Sequence, residues 1–180
     1  MNWIARTYPE VVFSVNTTNK IIALTIDDAP TRLDTPLILD ILRANEVRAT
    51  FFCIGYNIIT EDGNREILTR MLEEGHELGN HMSFDTPSYQ LNDTEFNKQF
   101  WEVDEMLQEA RNNTLQPSMD NNNQIKWFRP GHGFFTRKML EKVQTFGYRT
   151  VLGDVYPHDP AIAFSSINSY CIFTIILSII

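Results

Sequence analysis

Hydrophobic positions along the chain follow two spacings that alternate from the first third to the last. Short apolar runs rich in β-branched and aromatic residues predict strands, and apolar residues three or four positions apart predict helices. Because the two kinds of segment alternate, the pattern favours an α/β domain with parallel strands and helices outside the sheet. The predicted strands are Ile21–Ile26, Ala49–Ile54, Glu77–Gly79, Lys126–Arg129 and Tyr148–Leu152. The predicted helices are Thr35–Ala44, Asn64–Glu74, Asp93–Ala110 and Thr136–Phe146.

Local signals mark where several of these elements begin and end. Asn92 stands in the N-cap position of the third helix and Glu95 follows three residues later, which is the spacing of a capping box. Gly147 follows the last helix in the position where a left-handed residue ends helices. The polar, asparagine-rich segment 112–124 predicts a flexible loop.

A single domain, residues 20–160, accounts for most of the 180-residue chain. Residues 161–180 carry no charge, and the last ten are almost wholly apolar. Their length is about the roughly 20 residues that span a bilayer, although the first half contains several serines. Three interpretations remain open: a C-terminal anchor that contacts a membrane, a buried pair of strands, or an end foreign to the ancestral domain.

The net charge argues against one class of partner, and the cysteine spacing argues against a thiol metal site. The formal net charge of −8 gives a field that repels phosphate backbones, so nucleic acid is not an expected partner. Cys53 and Cys171 lie far apart without metal-ligand spacing, which favours idle or buried thiols. Residues 1–10 lack the continuous apolar segment of a secretory signal. Neither the compartment nor the oligomeric state follows from the sequence.

Polar side chains follow the first and third predicted strands. Asp27 and Asp28 come after the first, and His81 and Asp85 come after the third. In α/β folds the chemistry collects at these strand ends, and residues four apart in a helical turn share a face. Two such ligands and one carboxylate from the first strand would form the three-ligand set of a catalytic zinc site. Taken alone, the aspartate pair is explained as a turn or helix cap and His81 as a loop histidine.

A metal in such a site would lower the pKa of water and polarise a carbonyl group. One aspartate could bind the metal while its neighbour acts as general base. Arg129, after the fourth strand, could keep an aspartate ionised and oriented. The Pro-Gly-His-Gly turn that follows could aim backbone N–H groups at an oxyanion, although a plain structural turn is the alternative.

The order of these motifs resembles the polysaccharide deacetylase family, also called the NodB-homology domain or carbohydrate esterase family 4. The matching stretches are TIDDAP, GHELGNHMSFD, FRPGHG and a D-x-x-x-x-D segment, between about Lys20 and Pro160. They correspond to four of the family's five motifs. The resemblance implies a distorted (β/α) barrel with fewer than eight regular strands. It also implies metal-dependent removal of acyl groups from N-acetylated sugars or polysaccharides.

The resemblance assigns metal binding to Asp28, His81 and Asp85. The family's usual third ligand is a second histidine, so Asp85 makes the site harder and more anionic. We therefore expect a divalent metal, Zn²⁺ in the first place, with Mn²⁺ or Co²⁺ also accepted. The resemblance also implies a catalytic set: Asp27 as base, Arg129 to orient it, the backbone N–H of His132 as oxyanion donor, and Asp159, with Asp154 second, as a further carboxylate.

Several departures from the family pattern qualify these expectations. The family's final motif carries a histidine that protonates the leaving amine, and no histidine follows His158. The sequence therefore predicts a barrel that is incomplete at the C-terminus and a chain with impaired turnover. The alternatives are a non-catalytic carbohydrate-binding relative or a fragment. A metal-dependent phosphoesterase is weaker, because no Gly-rich phosphate loop is present. Ala-Pro after the aspartates, and His132 in place of a tyrosine, leave the substrate unsettled.

Overall fold

The computed structural model describes residues 2–14, 17–19, 21–114, 125–154 and the backbone of 175–179. These residues form helices and strands in alternation. The strands are β1 (Val11–Val12), β2 (Ile22–Ala29), β3 (Ala49–Cys53), β4 (Glu77–Asn80), β5 (Lys126–Phe128), β6 (Tyr148–Val151) and β7 (Ile175–Ile179). The helices are α1 (Asn2–Thr7), α2 (Asp34–Ala44), α3 (Gly55–Thr60), α4 (Asn64–Glu73), α5 (Asp93–Thr114) and α6 (Arg137–Thr145). Short 3-10 turns lie at Ser88–Gln90 and Gly131–Gly133.

The strands of the described residues form one sheet in the order β1-β6-β5-β4-β3-β2-β7. Neighbouring strands from β1 to β2 pair in parallel, and β7 pairs antiparallel with β2. The α/β arrangement with parallel strands, predicted from the alternating pattern, is therefore confirmed. Because these strands run in parallel, the carboxyl ends of β2, β4 and β5 meet at one edge of the sheet, where the candidate residues lie.

The four predicted helices are present, with ends that differ by a few residues. The predicted N-cap is confirmed, since Asn92 Oδ1 accepts a hydrogen bond of 3.0 Å from the Glu95 N–H. Gly147 has φ 81° after α6, as expected for a left-handed C-terminal residue. The predicted loop 112–124 begins too early, because α5 continues to Thr114. Residues 115–124 lie outside the described residues. Helices α1 and α3 were not predicted, because six residues are too few to show a periodic pattern.

Part of the uncharged tail is a strand. Residues 175–179 form β7, whose Ile175–Ile179 backbone pairs with Ile26–Ile22 of β2. Residues 161–174 and 180 lie outside the described residues. Among the described residues, no helix has the length and apolar character needed to cross a membrane.

Two groups of buried side chains attach the helices to the sheet. The larger group joins α2, α4 and α5 to β3, with Leu39, Phe51, Met71 and Leu107 fully buried. The smaller group joins α5 and α6 around β5 and is built mainly of aromatic rings such as Phe100. Cys53, at the end of β3, is buried, and burial raises the pKa of its thiol to about 12. This confirms the interpretation of Cys53 as a buried thiol; Cys171 lies outside the described residues.

Strand β2 continues three residues beyond the predicted end at Ile26. Its pairing with β3 shifts between Ile26 and Ala29, so the two aspartates occupy an irregularity in the strand. Asp28 has φ 62° there, a left-handed conformation that is uncommon for residues other than glycine. Such bulges bend a strand and redirect its side chains. Here the bulge places Asp27 and Asp28 at the edge of the sheet without ending the strand.

Candidate metal centre

Three side chains from separate segments meet at the carboxyl edge of the sheet. Asp28 lies in the β2 bulge, His81 follows β4 directly, and Asp85 lies in the loop after it. One ligand atom from each lies within 4.8 Å of the other two. Asp28 Oδ1 and His81 Nε2 are 3.6 Å apart, close to the roughly 3.4 Å that separates two ligands of a tetrahedral zinc ion. The donor set and its spacing fit a divalent metal.

The hydrogen bonds of His81 fix which ring nitrogen is free. His81 Nδ1 lies 2.7 Å from the carbonyl oxygen of Arg129. A carbonyl oxygen only accepts, so Nδ1 carries a proton, and in the neutral ring the lone pair is on Nε2. Nε2 is the nitrogen that faces Asp28. In metal-binding histidines, a hydrogen bond from the ring nitrogen that does not bind the metal orients the ring.

Asp27 is paired with a buried arginine. Arg129 Nη1 donates to Asp27 Oδ1 at 2.5 Å and to Thr25 Oγ1 at 3.0 Å. The guanidinium carbon also lies 4.0 Å from the centre of the Phe52 ring. Burial lowers the pKa of Arg129, and the adjacent Asp27 opposes that shift. The arrangement holds the Asp27 carboxylate in one orientation beside Asp28.

The Asp28 carboxyl group lies in a different electrostatic environment from that of Asp27. Desolvation raises the pKa of its carboxyl group, and the negative charges of Asp85 and Asp27 raise it further. His81 and His132 act in the opposite direction. Crowded carboxylates of this kind favour a bound cation, because a divalent charge relieves their mutual repulsion. Protons and a metal therefore compete for the same oxygen atoms.

Three non-glycine residues at the site have left-handed backbones: Asp28 (φ 62°), Met82 (φ 69°) and His132 (φ 60°). This conformation costs roughly 1–2 kcal/mol for a residue with a side chain, and such strain collects at functional sites. Two asparagines hold the backbones of Asp28 and Met82 in this conformation. Asn57 Nδ2 donates to the Asp28 carbonyl oxygen at 2.8 Å, and Asn80 Oδ1 accepts from the Met82 N–H at 2.9 Å.

The turn after β5 brings His132 beside the cluster. The Gly131 N–H donates to Ser88 Oγ at 2.9 Å, and a Cβ at Gly131 would overlap the Thr86 carbonyl oxygen. No acceptor for the His132 N–H is found among the described residues, so it can serve as a donor. His132 Nε2 also lies 3.6 Å from Asp85 Oδ1.

Sequence reasoning missed several supporting residues. It did not identify Thr25, Asn57, Asn80 or Phe52, since none has a feature that distinguishes it from ordinary strand and loop positions. Only the position of Asn80 directly before His81 offered a signal. Of the remaining predicted residues, Asp154 lies just beyond β6. Asp159, like His158, lies outside the described residues.

Known proteins with similar sequences include peptidoglycan deacetylases of bacteria. A peptidoglycan-N-acetylglucosamine deacetylase of Bacillus cereus is 30% identical over 142 residues, which cover 79% of this chain and 60% of that protein. The deacetylase PgdA of Listeria monocytogenes is 35% identical over 130 residues, 70% of this chain and 24% of that protein. The chain thus spans about 60% of the length of the first relative and less of the second.

A solved structure and a family model agree with these relatives. A family 4 carbohydrate esterase from Bacillus anthracis has a TM-score of 0.69 at 28% identity, over 84% of this chain and 67% of that one. This likeness confirms the fold type that the sequence motifs implied. The polysaccharide deacetylase family model matches residues 14–151, which is well over half of the chain. The chain therefore belongs to the polysaccharide deacetylase family.

Proposed function

We propose that this protein is a metal-dependent hydrolase that removes acetyl groups from N-acetylated sugars. The observation that carries the proposal is the placement of Asp27, fixed by buried Arg129, directly beside the Asp28–His81–Asp85 cluster. A general base next to a metal site is an arrangement that supports amide hydrolysis by water. The names of the relatives, which act on N-acetylglucosamine in peptidoglycan, support the choice of substrate class.

The residues of the cluster would hold the metal through Asp28, His81 Nε2 and Asp85. Zn²⁺ suits this mixed nitrogen and oxygen set, and the two carboxylates also suit Mn²⁺ or Co²⁺. When bound, the metal would polarise the acetyl carbonyl group and lower the pKa of water.

Two side chains, Asp27 and His132, carry out the proton transfers. Asp27 takes a proton from the water that attacks the acetyl carbon, while Arg129 keeps the carboxylate aimed at that water. The backbone N–H of His132 donates to the carbonyl oxygen of the acetyl group as negative charge develops on that oxygen. The C–N bond breaks to give acetate and a free amine, which leaves with a proton. We assign that proton to the His132 imidazole, which borders the cluster at Asp85.

The test is acetate release from an N-acetylglucosamine pentamer with added Zn²⁺. We expect release by the wild type and a loss of about 100-fold or more in Asp27→Asn, since general bases contribute 10²–10⁴-fold. Asp27→Asn should keep its metal, because Asp27 is not one of the three ligands. Asp62→Asn, at an exposed loop position, is the matched control and should behave as wild type.

Full activity in Asp27→Asn would remove Asp27 from the role of base. Binding of the pentamer without acetate release by the wild type would favour the non-catalytic carbohydrate-binding alternative.

A further inference from the structure

Helix α3 connects the two chain segments that supply the proposed metal ligands. One segment is the β2 bulge with Asp28, and the other is the loop after β4 with His81 and Asp85. The helix directly follows β3, the strand that separates β2 from β4 in the sheet. Because the two segments are far apart in sequence, the spacing of the ligands depends on tertiary contacts such as those of α3.

The first turn of α3 is hydrogen-bonded to the loop after β4. The Gly55 N–H donates to the Met82 carbonyl oxygen at 3.0 Å, and the Tyr56 N–H donates to that of Ser83 at 2.8 Å. A Cβ at Gly55 would lie only 3.3 Å from the Ser83 Cα, so helix and loop are in close contact. The loop backbone between its two ligands is thereby fixed to α3.

The side chain of Asn57 connects the same helix to the β2 bulge. Asn57 Nδ2 donates to the Asp28 carbonyl oxygen at 2.8 Å. With its backbone at φ 62°, Asp28 places Oδ1 3.6 Å from His81 Nε2. The strain of a left-handed backbone is similar in size to the net contribution of one hydrogen bond. The Asn57 contact is therefore strong enough to decide whether Asp28 keeps this conformation.

Asn57 is itself held by a buried amide. Asn64, at the start of α4, is fully buried. Its Nδ2 donates to the Asn57 carbonyl oxygen at 2.7 Å and to the Pro30 carbonyl oxygen at 3.4 Å. Asn64 therefore joins α3 to the chain directly after the bulge. The contact between Asn57 and Asp28 belongs to a connected framework and is not an isolated surface hydrogen bond.

We propose that Asn57 is a positioning residue for the metal centre. By holding the Asp28 carbonyl oxygen, it keeps the Asp28 carboxylate within reach of the metal that the other two ligands bind. This inference rests on the proposed function, because it concerns the same metal site. Loss of the Asn57 side chain should lower metal affinity and change the coordination geometry, although all three ligands remain in the chain.

The experiment compares metal binding by the wild type and Asn57→Ala. The Zn²⁺ dissociation constant is measured by competition with a chromogenic chelator, and the visible absorption spectrum of bound Co²⁺ reports the coordination geometry. We expect the dissociation constant of Asn57→Ala to rise about tenfold, which is typical when a group that orients a metal ligand is removed. We also expect the Co²⁺ spectrum to change. Asn57 is only half-buried, so Asn57→Ala should still fold.

Thr60→Ala is the matched control. Thr60 Oγ1 donates to the Tyr56 carbonyl oxygen at 2.8 Å, so this variant also removes a hydrogen bond from an α3 side chain to a carbonyl group. That hydrogen bond stays within the helix and does not reach the bulge. Thr60→Ala should therefore keep the Zn²⁺ dissociation constant and the Co²⁺ spectrum of the wild type.

Wild-type affinity and an unchanged Co²⁺ spectrum in Asn57→Ala, or equal changes in Thr60→Ala, would overturn the inference. Absence of metal binding by the wild type would refute the metal site and the inference together. Metal binding that depends on Asn57, with no acetate release by the wild type, would refute only the deacetylase proposal.

Discussion

At the scale of single residues, Asp27 and Asp28 are neighbours in sequence with opposite surroundings. The Asp27 side chain is only 10% exposed and faces Arg129, whereas that of Asp28 is 51% exposed and faces His81. The bulge in β2 redirects the side chains locally and brings both aspartates to the sheet edge, where each contacts a different partner. This difference supports the assignment of Asp27 as base and Asp28 as metal ligand.

The buried pair makes Arg129 important for stability as well as for orientation. Its side chain is 1% exposed, so Arg129→Met would leave the Asp27 carboxylate buried without a partner. We expect the free energy of unfolding to fall by about 3–5 kcal/mol, measured by urea denaturation. Arg65→Met is the control, since its ion pair with Glu109 at 2.8 Å is exposed and should contribute less than about 1 kcal/mol. Equal losses in the two variants would contradict the role given to Arg129.

The raised pKa of Asp28 gives metal binding a pH dependence. A carboxyl group with a raised pKa holds a proton at higher pH than usual, and that proton must leave before a metal binds. The Zn²⁺ dissociation constant should therefore increase as the pH falls from neutral into the acid range, as measured by competition with a chromogenic chelator. A dissociation constant that stays constant as the pH falls would argue against Asp28 as a ligand.

At the scale of elements, the turn Gly131–Gly133 depends on a close approach that only glycine permits. A Cβ at position 131 would overlap the Thr86 backbone, whereas one at Gly133 meets no atom within 4 Å. We expect Gly131→Ala to destabilise the protein by more than 2 kcal/mol, about the cost of overpacking a tight contact. It should also weaken activity, because His132 is the next residue.

Gly133→Ala is the matched variant for that prediction. Gly133 has φ 71°, so alanine there costs about 1 kcal/mol of backbone strain without a clash. The prediction is checked by measuring the free energies of unfolding of the two variants side by side. A smaller loss in Gly131→Ala than in Gly133→Ala would show that the Thr86 contact is not tight.

The sequence predicts these elements unevenly. The helix cap at Asn92 and the candidate residues at the carboxyl ends of β2, β4 and β5 follow from periodicity and from residue type. The bulge at Asp27 and Asp28 does not, because it arises from the pairing of β2 with β3 and has no local sequence signal. The contact of Asn57 with the Asp28 backbone is likewise a tertiary contact, between residues 29 positions apart. The roles of the two aspartates came from the family resemblance and not from their spacing.

At the scale of the whole molecule, one buried histidine away from the site links stability to pH. His76 Nδ1 accepts a hydrogen bond of 3.1 Å from the Ala49 N–H, which requires a neutral ring. Burial lowers the pKa of His76 below its usual value near 6.5. Below about pH 6.5 the His76 side chain is therefore protonated more fully in the unfolded chain than in the folded one. The free energy of unfolding consequently falls as the pH falls, by up to about 1.4 kcal/mol per pH unit.

His76→Gln keeps an acceptor for the Ala49 N–H but does not titrate. The difference in unfolding free energy between pH 7.5 and pH 5.5, measured by urea denaturation, should therefore be smaller in His76→Gln than in the wild type. The same difference in both proteins would show that His76 does not control acid stability.

The central claim is that Asp28, His81 and Asp85 hold one divalent metal at the edge of the sheet. Its most direct test is the metal content of purified wild type and Asp28→Ala after loading with Zn²⁺ and gel filtration, measured by mass spectrometry of the metal. Asp62→Ala, at an exposed position, serves as control. We expect close to one zinc per chain in the wild type and in Asp62→Ala, and almost none in Asp28→Ala. Equal zinc content in all three proteins would contradict the central claim.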